Sequence, residues 1–190
     1  MSSSTAGRIA EAARGILVAE GTDAVSMRRV AAEVGITPMA IYRHYPNREA
    51  LLEAIASTAF AELAERWAGT LQGPGSRLGR ALDAYLDFAL EQPRLYTFLF
   101  TEPRADARRY PEDMRAGASP TMTIVADALR DGVRAGVFRE HDVWEVALMT
   151  TTLLHGLVQL YHAGRISLAE QDFRALCRAG LGRVLDGIRT

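Results

Sequence analysis

The sequence predicts an all-α protein, with an N-terminal three-helix helix-turn-helix domain joined by a long helix to a larger C-terminal helical domain. Three observations carry this. No β-type alternation is sustained anywhere in the 190 residues, whereas apolar side chains recur at three- and four-residue spacings in segment after segment. Those segments open at Ser, Thr, Asn or Asp and close at Gly, the residues that cap and stop helices. Between Ser26 and Arg48 two short helices are separated by one tight turn, and such a pair needs a third helix to cover it.

That third helix comes first in the chain, with Ile9, Ala12, Ala13, Ile16 and Leu17 on one stripe and Gly21 as its stop. Ser26 caps the next helix, Met27 to Glu33, and Gly35 ends it. Thr37-Pro38 then supplies an N-cap and a first-turn proline for a helix that starts at once. Val30, Ala31, Val34, Ile36, Ile41 and Tyr45 are the apolar contacts that hold the two at a fixed angle, which leaves Met39, Tyr42 and Arg43 facing outward. Asn47 caps a long helix from about Arg48 to Gly69, through Leu51, Leu52, Ile55, Ala59, Leu63 and Trp67, roughly 30 Å at 1.5 Å per residue.

Gln72-Gly73-Pro74-Gly75 is the first clear break, and Ser76 caps a helix ending near Glu91. Pro93 restarts a short helix dense in large apolar side chains: Leu95, Tyr96, Phe98, Leu99 and Phe100. Arg104 to Gly117 is charged and broken by prolines, a surface loop with room for one helical turn. Ser119-Pro120 opens a helix to about Gly136, and Asp142 caps another. The last helix, about Ala169 to Ile188, bears one continuous stripe from Phe173 to Ile188.

Composition sets limits. The net charge is −1, so nucleic-acid binding has to come from a local patch rather than a global field. Residues 1 to 48 hold six Arg against four acids, and the remainder holds 16 Arg against 19 acids, which puts the positive surface with the two short helices. All 22 basic residues are Arg, a mark of coding bias more than of design. The single cysteine, Cys177, lies on an apolar stripe and reads as a buried small hydrophobe. The N-terminus lacks the apolar core of a signal peptide, which implies cytoplasmic residence. Val146 to Gly164 runs 19 residues without Asp, Glu, Lys or Arg, yet Thr150, Thr151, Thr152, His155, Gln159 and His162 make it a helix among helices rather than a membrane span. The four His are scattered, with no zinc-type His pair, glycine-rich phosphate loop or nucleophile elbow, so neither catalytic residues nor a metal or cofactor site are expected.

The run Tyr42-Arg43-His44-Tyr45 followed by Pro46-Asn47-Arg48-Glu49-Ala50-Leu51-Leu52, together with Arg8-Ile9-Ala10-Glu11-Ala12-Ala13 upstream, resembles the TetR family of bacterial repressors. The resemblance covers the first quarter of the chain. It implies residues 1–48 as a DNA-binding domain, residues 49–190 as an effector-binding and dimerisation domain, and a transcriptional regulator that is not an enzyme. A homodimer is implied because two helix-turn-helix units then enter successive major grooves of palindromic operator DNA. The DNA-facing candidates are Ser26, Arg28, Thr37, Pro38, Met39, Tyr42, Arg43, His44 and Arg48. Arg28 suits a bidentate contact to guanine and reads equally as an ordinary solvated side chain. His44 reads as a phosphate donor or as a structural tie at the helix end. Arg48 and the backbone N–H groups beside it would hold one phosphate; the family more often has Lys at this place.

The family resemblance also implies a small-molecule effector, apolar or amphipathic and of unknown identity. Candidate pocket residues are Tyr85, Phe88, Phe98, Met122, Leu129, Met149, Thr152, His155 and Gln159, each of which serves equally as plain core. Leu154-His155-Gly156-Leu157, with Pro93-Arg94-Leu95-Tyr96 upstream, resembles a TetR C-terminal subtype named after a Trp-His-Gly motif, Leu154 standing where that subtype has Trp. His155 is expected to satisfy a backbone carbonyl. The last two helices carry more apolar surface than one small domain needs, which suggests a subunit interface. Its candidates are Leu153, Leu157, Tyr161, Phe173, Leu176, Gly180, Leu181, Val184 and Leu185.

Overall fold

The computed structural model describes residues 4–70 and 76–190. The Gln72-Gly73-Pro74-Gly75 break and the first three residues of the N-terminus lie outside the described residues. What is described is helical throughout, apart from one isolated antiparallel bridge between Phe138 and Arg189. The helices run α1 Thr5–Glu20, α2 Met27–Val34, α3 Pro38–Ile41, α4 Arg48–Thr70, α5 Arg77–Glu91, α6 Pro93–Phe100, α7 Glu112–Arg115, α8 Pro120–Arg134, α9 Val143–His162 and α10 Glu170–Asp186. A single 3-10 turn, Thr22–Ala24, joins α1 to α2.

The starts are fixed by side chains that satisfy first-turn N–H groups. Ser26 Oγ accepts from Arg29 N, Thr37 Oγ1 from Ala40 N, Asn47 Oδ1 from Ala50 N and Ser76 Oγ from Gly79 N. Asp142 accepts from Trp144 N and Glu145 N, and Ser119 from Met122 N. Gly35 closes α2 at φ 74°, in the left-handed region where only glycine is unstrained. The surface loop contains the single helical turn expected of it, α7.

The described residues form two compact units. The first runs through Glu62 and takes in Glu91–Ala107; the second holds the described residues of Leu63–Leu90 together with Arg108–Thr190. The division expected at residue 48 therefore differs from the compact units, for a physical reason. The reader cannot close its core alone: Ile9, Leu17, Val30, Ala31 and Ile41 are fully buried together with Leu51 and Ala56 from the first half of α4. In the same unit α6 packs against α1 and buries Leu95, Tyr96, Phe98 and Leu99. Phe60 meets Phe100 edge-on at 5.5 Å between centroids. The Arg104 guanidinium lies over Phe98 at 5.0 Å and Phe60 at 5.7 Å, with its carboxylate partner Asp106 at 3.1 Å.

In the second unit α8 and α9 pack most extensively, around Leu78, Met122, Ala126, Leu129, Phe138, Val146 and Ala147. Two ion pairs tie α10 to α5, Arg174 to Asp87 at 2.7 Å and Arg178 to Asp83 at 2.6 Å. Tyr161 of α9 stacks on Phe173 of α10 with centroids 4.1 Å apart. By length and composition α9 is apolar enough to cross a membrane, but Val146, Ala147, Thr150, Leu154 and Val158 are buried against protein.

Candidate nucleic-acid interface and effector core

The outward face of the reader is built by its caps. Ser26 and Thr37 each use an oxygen lone pair to start a helix, and each retains an O–H to donate. The helical part of α3 is only Pro38–Ile41, and a turn through Tyr42 to His44 continues the same ridge. Ile41 is fully buried beneath it, which aims the neighbouring side chains at solvent. Met39 is 72% exposed and Tyr42 49%, and Arg28, Arg43 and His44 are exposed beside them. Tyr45 turns inward instead, donating its hydroxyl to the carbonyl of Ala6 at 3.1 Å, and burial raises its pKa.

The cations of this unit divide into two groups. Arg29 forms a two-pronged pair with Glu20, whose carboxyl it holds below the usual range. Arg14 pairs with Glu62 at 2.6 Å, and Arg8 donates to the Val34 carbonyl at 3.2 Å. Arg28, Arg43 and His44 have no hydrogen-bond or ion-pair partner among the described residues. They are the charges available to a polyanion, and they lie where the exposed ridge lies.

Arg48 requires a correction. The sequence places it at a phosphate, but its Nε donates to the Val25 carbonyl at 2.8 Å and its Nη2 to the Thr22 carbonyl at 2.6 Å. One edge of the guanidinium fork, Nε with Nη2, is thus taken up by backbone carbonyls. Sequence reasoning had no signal for this, since the acceptors are carbonyls more than 20 residues away.

The nine effector candidates do not converge. Phe98 belongs to the first unit, under Arg104. Met149 is 54% exposed and Thr152 is exposed, because α9 turns that face outward. Phe88, Met122 and Leu129 are buried core. Tyr85 and His155 do meet: the hydroxyl lies 3.0 Å from Nδ1, with the rings edge-on. His155 thus shares a hydrogen bond with a side chain, a partner that the sequence does not reveal. Trp67 stands edge-on to Tyr85 at 6.4 Å, and one turn beyond His155 the buried Gln159 Nε2 has no hydrogen-bond partner among the described residues.

Of the interface candidates, Phe173 is fully buried and Leu181 is 5% exposed, so both serve the chain's own core and are not available to a second copy. Leu153 and Leu157 are half-buried over Gly180, where an added Cβ would lie 3.3 Å from Leu153 Cδ2. Tyr161, Val184 and Leu185 are also half-buried. Leu176 is exposed, and so are Leu160 and Leu168, which apolar spacing alone does not reveal because it leaves open which face α9 and α10 give each other.

Comparison with known proteins decides the family. Residues 9–55 match the profile described as bacterial regulatory proteins, tetR family, and residues 78–184 match the tetracyclin repressor-like C-terminal domain. The chain belongs to the TetR family. The chain is 30% identical over 97 residues to the nucleoid occlusion factor SlmA of Pasteurella multocida, a match covering 46% of this chain and 49% of that protein. It is 49% identical over 49 residues to the HTH-type transcriptional repressor DrrR1 of Streptomyces coeruleorubidus, covering 26% of this chain and 18% of the other. The match thus spans about half of the first relative and less than a fifth of the second. In fold, the transcriptional regulator FadR of Bacillus subtilis, solved with stearoyl-CoA, superposes with a TM-score of 0.74 over 96% of this chain and 98% of that one, at 17% identity.

Proposed function

We propose that this TetR-family chain is a sequence-specific, DNA-binding transcriptional regulator, a repressor that acts in the cytoplasm as a homodimer on a palindromic operator. The observation that carries the reading is the exposed ridge of Met39, Tyr42, Arg43 and His44 with Arg28 beside it, where Arg28, Arg43 and His44 have no partner among the described residues. Phosphate contacts from Tyr42, Arg43 and His44 position such a reader, while Arg28 and Met39, with Thr37 and Pro38, are placed for base edges. Ser26 donates its remaining O–H to the backbone. The described residues hold no group of His, Cys, Asp and Glu suited to a metal ion, and the reading invokes no catalytic step.

Release of the operator is assigned to a small apolar or amphipathic ligand in the second unit, the class to which the stearoyl-CoA of FadR belongs. Tyr85, His155 and Gln159 are the polar handles for it, in a setting otherwise apolar.

The test begins with selection of bound sequences from a random DNA pool, followed by footprinting. Tyr42→Ala and Arg43→Ala are expected to weaken binding at least tenfold, each truncation removing an interaction on the order of 1–3 kcal/mol, with the fold unchanged. No enrichment from the pool, or wild-type affinity in both variants, would overturn the assignment. The ligand half is tested separately by thermal-shift screening, where ligands that stabilise the protein and release DNA are expected.

A further inference from the structure

We propose that Arg48 is a positioning residue of the DNA reader, one that sets the direction of α2 by gripping the Thr22–Val25 turn and does not itself contact a phosphate. The inference rests on the DNA-binding reading above. Nε and Nη2 lie on the same edge of a guanidinium, and here that edge spans two carbonyls, Val25 O at 2.8 Å and Thr22 O at 2.6 Å. Thr22 opens the 3-10 turn that feeds α2 and Val25, itself 1% exposed, caps that turn. The next residue is Ser26, the N-cap of α2, and Arg28 follows two positions later. Fixing the Val25 carbonyl therefore fixes where α2 begins and where Arg28 points.

The surroundings of Arg48 disfavour a phosphate. Its side chain lines a cleft of about 720 Å³ in the first unit, whose other walls carry six carboxylates, from Glu20, Asp23, Glu49, Glu53, Glu102 and Asp106, against one further cation, Arg104, itself paired with Asp106. A phosphate entering there meets more carboxylates than cations, and like charges repel. The Thr22 turn is held from a second side as well, since Thr22 Oγ1 donates to Glu102 Oε1 at 3.0 Å. Thr22 thus offers its carbonyl to α4 and its hydroxyl to the segment just after α6, and the turn cannot shift without breaking one of the two.

A brace and a phosphate contact make opposite predictions for lysine. An ammonium replaces a guanidinium at a phosphate as a point charge, but it cannot span two carbonyls along one planar edge. The experiment uses the full chain and an operator selected from the random pool, with Arg48→Lys, Arg48→Ala and Arg43→Ala compared by titration across salt concentrations. Thermal melts select a temperature at which each variant is folded. For a brace, Arg48→Lys and Arg48→Ala both lose at least about tenfold in operator affinity. Their non-specific affinity and their slope of log K against log salt remain those of the wild type. Arg43→Ala, by contrast, flattens the slope by about one per protomer. A merely destabilising change lowers specific and non-specific binding together. The proposal is overturned if Arg48→Ala flattens the slope and Arg48→Lys restores it, or if both variants bind like wild type. A wild-type chain without salt-dependent operator preference overturns the regulator reading and this proposal with it.

Discussion

The Tyr85 hydroxyl and His155 Nδ1 are 3.0 Å apart between α5 and α9, and burial holds the imidazole at a pKa of about 4. The histidine is neutral in the fold near pH 7, its Nδ1 sharing a hydrogen bond with the Tyr85 hydroxyl. The ordinary value is 6.5, so as pH falls the unfolded chain takes up a proton before the folded one does. Stability is therefore complete above about pH 6.5 and is lost as pH drops towards 4. The loss is about 2 kcal/mol by pH 5 and on the order of 3 kcal/mol at the bottom of the window. His162, also lowered by burial, adds in the same direction. Urea unfolding at pH 7.5 and pH 5 measures this, and His155→Gln is expected to remove most of the difference. An equal pH dependence in that variant would refute the assignment.

Gly132 is required by its neighbour rather than by its backbone. A Cβ there would lie 2.3 Å from Phe138 Cδ2 and 2.4 Å from Cε2, far inside van der Waals contact. Phe138 cannot retreat easily, because it is 8% exposed within the α8–α9 core and its backbone pairs with Arg189. Gly132→Ala is expected to cost about 1–3 kcal/mol by overpacking. Phe138→Leu in the same chain should recover part of that loss, although Phe138→Leu alone destabilises. Additive losses in the double variant, measured by denaturant unfolding, would show that the two side chains do not compete for one space.

These two sites show what was and was not legible in the sequence. The caps at Ser26, Thr37, Asn47, Ser76, Ser119 and Asp142 were readable, because an N-cap is decided by a residue and the two or three that follow it. The ridge of Met39, Tyr42, Arg43 and His44 was readable too, since Ile41 had only one side to bury. Arg48 was not: its partners sit across the fold at Thr22 and Val25, and its position at a helix start read as a phosphate site. The effector set was legible only in part, for the same reason. Met149, Phe98 and Tyr85 share apolar or aromatic character, but which of them meet depends on how α5, α6 and α9 rotate about their own axes, which periodicity alone does not fix.

Cys177 is expected to be chemically inert in the folded chain. It is fully buried, and desolvation pushes its thiol up to about 11 against the pull of Arg174 and Arg178. Since the thiolate is the reactive form, an aromatic disulfide reagent should label it only after unfolding, at a rate that rises with denaturant. Fast labelling of the native chain would mean that α10 opens readily from α9.

The exposed leucines of α9 and α10 make the last prediction. Leu160 is 45% exposed and Leu176 36%, while Met149 at 54% extends the same apolar character along α9. Gly180 lets Leu153 and Leu157 lie close over α10, so these two helices pack tightly on each other while keeping Leu160 and Leu176 outward. Such a surface is costly in water unless a second copy covers it, and a two-fold contact doubles the effect of any change within it. Leu160→Glu and Leu176→Glu place charge there without removing a core side chain. Each is expected to leave the helical spectrum intact, and together they should move the sedimenting species from twice 20.8 kDa to the single chain. Operator affinity should fall with it, because one reader then meets one half-site. A wild-type chain that sediments as a monomer, or a double variant that remains a dimer, would place the subunit contact elsewhere.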